Sequence, residues 1–264
     1  MPSCSEHLSY SLQGQAGKPA LVFLHGLLGD CRDWQPVMDL LTDDFLCLAI
    51  DLPGHGGSKG ILVTGFDDTC EKVAETIKQV LHQPFSLVGY SLGARVAMYL
   101  SVHYASSFSD PSLSLQRLIV ENGHPGLPEQ ERRSRQEHDE AWAYRFENEP
   151  IVDVLQDWYQ QPVFSSLNHA QRQSLVALRS DNLGTKVASM LRATSLSKQA
   201  CLLEPLRTSG IPVHYLCGEK DAKFQALATQ SGLAFSIVPD AGHNIHAEQP
   251  SLFCRLVRQL IGLI

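Results

Sequence analysis

The sequence predicts an α/β protein: a mostly parallel central sheet with helices on both faces and a helical cap inserted into it. Three observations carry that prediction. Short aliphatic runs alternate with amphipathic stretches, the pattern of strands covered by helices. Each run is apolar on both faces and closes on Gly, Asp or Asn, as strands buried in a parallel sheet do. One long stretch, from Gly123 to about Arg207, holds no strand-like run at all.

Taken in order, residues 21–24, 46–50, 85–89 and 118–120 read as strands before the interruption, and 213–217 and 234–238 after it. Helix formers, Trp142, Tyr144, Trp158, Tyr159 and many arginines fill the interruption. An insertion at that point lies over the carboxyl ends of the strands, where open α/β sheets bind ligands. The expected organisation is residues 1–123 as the first part of the core, 124–207 as the cap and 208–264 as the second part.

The chain of 264 residues is long enough to bury a substantial core with one inserted unit, and 44% hydrophobic with 19% charged residues excludes a disordered class. A formal net charge of −7 argues against non-specific binding to nucleic acid or a membrane surface. An acidic small-molecule substrate stays open, because a few buried arginines can reverse the local field. Residues Met1 to Ala20 show no basic start followed by an apolar run, and no stretch reaches the length of a membrane span. A cytoplasmic protein, monomeric or weakly self-associating, is expected. Seven cysteines at 4, 31, 47, 70, 201, 217 and 254 have no C-x-x-C spacing, so reduced thiols are expected, with neither a metal site nor a disulfide framework.

The chemistry centres on Gly89-Tyr90-Ser91-Leu92-Gly93. A G-x-S-x-G pattern alone is weak, but here it follows a strand and opens an amphipathic helix from Leu92. Such a turn lifts a serine hydroxyl clear of the sheet, and glycine on both sides lets strand and helix approach closely. The serine needs a base and the base an orienter. Asp221, just beyond the strand ending at Cys217, is the expected acid, with Glu219 as the alternative. His243, in Pro239-Asp240-Ala241-Gly242-His243-Asn244, is the expected base, with His246 as the rival; Gly242 is expected to free the backbone to turn there. After the first strand, His25-Gly26-Leu27-Leu28-Gly29 would supply one oxyanion amide, Leu27 N–H, opposite Leu92 N–H. His25 and His55 are expected to brace loops. These elements, in this order, predict an α/β-hydrolase fold.

Arginine is the unusual component. Arg95 follows Ser91 by one helical turn, and Arg132, Arg133, Arg135, Arg172 and Arg179 interleave with Trp158 and Phe164. Its planar fork suits carboxylates. Arg132, Arg133 and Arg172 are expected on a solvated surface; any others facing inward would imply a polyanionic substrate.

Several runs carry a narrower resemblance: Asp51-Leu52-Pro53-Gly54-His55-Gly56-Gly57-Ser58, the elbow itself, Gly123-His124-Pro125-Gly126-Leu127, and above all Asp157-Trp158-Tyr159-Gln160-Gln161-Pro162-Val163-Phe164. Ala177-Leu178-Arg179-Ser180 and Tyr215-Leu216-Cys217-Gly218-Glu219-Lys220-Asp221 extend it. Over nearly its whole length the chain resembles the 2-succinyl-6-hydroxy-2,4-cyclohexadiene-1-carboxylate synthases of menaquinone biosynthesis. The resemblance implies a cofactor-free lyase that eliminates pyruvate from a succinyl-enolpyruvyl-hydroxycyclohexene carboxylate. It also implies a Ser91, Asp221, His243 triad and a substrate site lined by Tyr90, Arg95, Arg135, Trp158, Phe164 and Arg179. The residues by themselves equally allow a carboxylesterase or carbon–carbon hydrolase with an acidic substrate. A binding module without catalysis has no need of a complete triad.

Overall fold

The computed structural model describes residues 7–263. Cys4 and the first six positions of the N-terminal stretch lie outside them. Among the described residues seven strands form one sheet in the order β1-β3-β2-β4-β5-β6-β7. They are β1 (Tyr10–Gln13), β2 (Ala20–Leu24), β3 (Leu46–Ile50), β4 (Phe85–Tyr90), β5 (Leu115–Glu121), β6 (Val213–Gly218) and β7 (Ala234–Val238). All neighbours pair in parallel except β1, which runs antiparallel to β3 on the edge. The sequence reading missed β1 because Tyr-Ser-Leu-Gln is short and half polar. Such a strand looks like loop until β3 pairs with it.

The helices are α1 (Gln35–Leu41), α2 (Phe66–Val80), α3 (Leu92–His103), α4 (Glu129–Asn148), α5 (Ile151–Trp158), α6 (His169–Arg179), α7 (Gly184–Ala193), α8 (Leu203–Thr208), α9 (Ala222–Ser231), α10 (Ile245–Glu248) and α11 (Pro250–Ile261). Side chains alternate across each strand, so one strand feeds two cores. Val22, Leu24, Leu87, Leu118 and Val120 pack against α2, α3, α8 and α9. Leu21, Phe23, Val88, Ile119 and Leu216 pack against α1 and α11, with Trp34 and Phe253. That double burial is why these runs read as uninterrupted apolar stretches.

Between β5 and β6 the described residues contain helices only, α4 to α8. α4 to α7 enclose a third cluster of Ala143, Phe146, Val154, Leu155, Tyr159, Val176, Val187, Ala188 and Leu191, joined by Leu28 from the loop after β2. No helix among the described residues is long and apolar enough to cross a membrane.

Candidate active site

Ser91 sits between β4 and α3 with φ +50° and ψ −107°, a conformation that a non-glycine residue holds only when its surroundings impose it. The surroundings do so through close packing. A Cβ on Gly93 would strike the carbonyl of Leu24, and one on Gly89 would reach 2.6 Å from Ala94 Cα. Ser91 N–H donates to Glu121 O at 2.9 Å, pinning the turn to the end of β5.

Asp221 is the N-cap of α9. Its Oδ1 accepts from Phe224 N–H at 3.2 Å, and its Oδ2 accepts from His243 Nδ1–H at 2.8 Å. The opposite ring nitrogen, Nε2, accepts from the Ser91 hydroxyl at 3.3 Å. Asp221 and His243 are both buried. Asn122, itself at φ +48°, donates from Nδ2 to His243 O at 2.7 Å and fixes the ring's backbone. Gly242 has a different job from the one the sequence suggests. The left-handed residue in this loop is Asp240, at φ +58°. Glycine is needed at 242 because a Cβ there would run into the side chain of Ser166.

The two alternatives have other engagements. Glu219 is exposed and accepts from Asp240 N–H at 3.0 Å through Oε2. His246 is fully buried, donates from Nδ1 to the Glu121 carboxylate at 2.9 Å, and stacks on Trp34 with ring centroids 4.1 Å apart.

His25 and His55 brace the loop after β2. His25 Nε2 accepts from Leu52 N–H at 2.9 Å while its Nδ1–H donates to Gly26 O at 2.7 Å. His55 Nε2 accepts from Leu28 N–H at 3.1 Å and its Nδ1–H donates to Pro53 O at 2.9 Å. Burial pulls both imidazoles below their ordinary range, His55 to about 3, so both stay neutral and keep one acceptor nitrogen. Leu28 is held at φ +70°. Neither Leu27 N–H nor Leu92 N–H meets an acceptor among the described residues. Leu92 directly follows Ser91, and Gly26, next to Leu27, packs against the Tyr90 ring and the Ser91 side chain.

The cavity above has two lobes meeting at Trp158, Phe164 and His243. The larger, about 490 Å³, is lined by Ser91, Asp221, His243, Arg135, Lys220, Lys223 and the 161–165 turn. The smaller is lined by Leu27, Tyr90, Tyr159, Ser166, Arg179 and Asn244. Tyr90, Trp158, Phe164, Arg135 and Arg179 therefore face this cavity, whereas Arg95 lies outside the lining of both lobes. Arg95 is buried behind the elbow, donates from Nε to Gln199 Oε1 at 2.7 Å and from Nη2 to Thr194 O, and covers the Phe66 ring. Burial, with Arg135 nearby, pushes its guanidinium down to about 9.

Arg179 is buried and pairs with Asp33 at 2.6 Å; burial acts against its charge, and the Asp33 carboxylate more than offsets that. Its Nε and Nη1 have no partner among the described residues. Arg135 pairs with Asp139 at 2.7 Å. Arg133 is on the solvated face, as the sequence suggests. Arg172 is not: it donates to Gln160 Oε1 at 2.8 Å and to Phe164 O at 3.3 Å, bracing the turn that carries Phe164. Sequence reasoning also passed over Lys223, His124, Asn122 and Glu121. Lys223 alone had a local signal, lying two positions after the candidate acid.

These features define the class. A family model described as the alpha/beta hydrolase family matches residues 21–256. The chain is 47% identical over 251 residues to the 2-succinyl-6-hydroxy-2,4-cyclohexadiene-1-carboxylate synthase of Citrobacter koseri, covering 95% of this chain and 96% of that one. It is 48% identical over 255 residues to the protein of that name from Salmonella newport, covering 96% and 97%. The MenH structure from S. aureus superposes with a TM-score of 0.86 at 26% identity, over 96% of this chain and 97% of that one. An esterase from Thermogutta terrifontis shares the fold, with a TM-score of 0.79 at 22% identity over 96% and 92%. The chain belongs to the 2-succinyl-6-hydroxy-2,4-cyclohexadiene-1-carboxylate synthase family of α/β hydrolases.

Proposed function

We propose that this chain is a lyase that eliminates pyruvate from 2-succinyl-5-enolpyruvyl-6-hydroxy-3-cyclohexene-1-carboxylate, giving 2-succinyl-6-hydroxy-2,4-cyclohexadiene-1-carboxylate, with Ser91, His243 and Asp221 as the proton-transfer relay. One observation carries the reading: Ser91 Oγ lies where the buried Asp221–His243 pair meets a lobe lined by Arg135, Lys220 and Lys223. Residues 124–207 are read as the cap, of which α4, Trp158 and the 161–165 turn line that lobe.

The substrate carries a ring hydrogen beside the succinyl ketone. Ser91 Oγ takes that proton as its own passes to His243 Nε2, and Asp221 stabilises the imidazolium. The ketone oxygen becomes an enolate oxygen, for which the N–H groups of Leu27 and Leu92 are the donors. The electron pair then shifts through the ring alkene and breaks the bond to the enolpyruvyl oxygen. The departing enolate takes up a proton at carbon and leaves as pyruvate. No water is consumed. Three carboxylates on the substrate match the cationic lining, which a neutral ester would not need.

Pyruvate release, followed through a coupled reduction to lactate, tests the reading. Ser91→Ala should lower the rate by about three orders of magnitude or more while leaving the thermal unfolding midpoint in place. Unchanged release would overturn the role of Ser91. Uptake of ¹⁸O from labelled water into the ring product would instead favour a hydrolase acting on an acidic substrate.

A further inference from the structure

The larger lobe contains a cation that the relay does not use. Lys223 stands in the first turn of α9, two residues beyond Asp221, and lines the lobe facing α4 with its Arg135. Every other charged side chain of that lining already has a partner. Arg135 holds Asp139 at 2.7 Å, and Asp139 also accepts from Ser195 Oγ at 2.6 Å. Asp221 holds His243, and Lys220 reaches Asp240 at 3.4 Å. Lys223 has no carboxylate within ion-pair distance among the described residues; its ammonium lies only 5.6 Å over the Phe224 ring.

Two further bases, His124 and Arg95, stand at this corner, and the carboxylates of the lining, Asp139 and Asp221, are held by Arg135 and His243. His124 follows β5, and its Nδ1 accepts from Gly126 N–H at 3.2 Å, which leaves Nε2–H as a donor. Gln199 ties this corner together, accepting from Arg95 Nε and donating to His124 O at 2.8 Å. Desolvation pulls His124 to about 3, and Lys223, Arg95 and Arg135 push the same way. Lys223 is lowered too, by desolvation and then by Arg135, with Asp221 and Glu131 acting the other way without offsetting them. Lys223 is thus left facing Arg135 without an ion-pair partner of its own, and an incoming anion between them relieves their repulsion.

We propose that Lys223 is a specificity-determining residue that, with Arg135 across the lobe, binds one carboxylate of the substrate on the Asp221 side of Ser91. The inference rests on the lyase reading for the identity of the substrate, though not for the existence of the anion site. Lys223 is exposed along the lobe and packs into no core cluster, so replacing it leaves the fold intact.

The test combines two measurements on the full chain. Steady-state pyruvate release gives KM and kcat, and calorimetric titration with tricarballylate, an unreactive tricarboxylate, gives Kd. Lys223→Ala should raise both KM and Kd about tenfold to a hundredfold, with a smaller effect on kcat. Lys223→Arg should recover most of the loss. Arg133→Ala, which removes the same charge from the outer face of α4, should move neither value. Wild type that releases no pyruvate while Lys223→Ala still weakens tricarballylate binding would sink the lyase reading and uphold the anion site. Normal wild-type turnover with KM and Kd unmoved in Lys223→Ala would overturn the proposal, as would an effect on kcat alone.

Discussion

Two pairs of buried histidines flank Ser91, and their partners differ in kind. On the 240–248 loop, His243 and His246 each give Nδ1–H to a carboxylate, Asp221 and Glu121 respectively. On the loops after β2 and β3, His25 and His55 meet only peptide groups. A carboxylate partner stabilises an imidazolium; a peptide N–H aimed at the ring's lone pair excludes one. The second pair is held neutral by burial and its peptide partners, whereas each ring of the first is anchored on a carboxylate. Within the first pair, contacts separate the roles further. His243 presents Nε2 to Ser91, while His246 lies sealed against Trp34 and Phe253.

The largest effect should come from breaking the carboxylate partner of His243, the proposed base. Asp221→Asn keeps the shape but removes the charge and favours the wrong tautomer, so kcat should fall about 10⁴-fold with little change in KM. A drop under tenfold would dissolve the distinction between His243 and a merely structural histidine. The same cut at the sealed member should appear in stability instead. Glu121→Ala strips the carboxylate from His246, and urea unfolding should show a loss of about 3–5 kcal/mol. An unshifted urea midpoint would show that the pair does not hold the 240–248 loop.

The neutral pair sharpens the contrast through pH. Folded His55 titrates at about 3 against an ordinary 6.5, so the unfolded chain takes up the proton first. Its contribution, a few kcal/mol, is fully present above pH 6.5 and drains away as pH falls toward 3. Urea midpoints measured from pH 7 down to 4 should therefore fall more steeply for wild type than for His55→Asn. Parallel curves would remove His55 from the account.

Much of this arrangement was legible in the chain because its signals are local. The β2 and β3 runs are apolar at every position since both faces are covered, β4 departs from this at Ser86, and Ser91 is bracketed by the glycines its turn requires. What stayed hidden depends on convergence. Glu219 and Asp221 look alike two residues apart, and only the 2.8 Å contact with His243 separates them. Arg172 reads as a surface residue until α6 brings it against the 160–164 turn. Glu121 reads as the polar end of a strand, with nothing nearby in sequence to foretell His246, 125 positions later.

Leu28 has a consequence for how this enzyme can diverge. It is the fully buried side chain that reaches the third hydrophobic cluster from outside the 129–193 span, with Leu27 packing partly against the same cluster. The helices over the lobe are thus free to drift in sequence only while they keep a seat for that one side chain. A lineage that remodels the roof for a new substrate inherits a mechanical tether to the loop whose Leu27 amide is the proposed enolate donor. Substitutions at Ala143, Val154 or Val187 would be filtered by their effect on turnover, even though none of them lines the cavity.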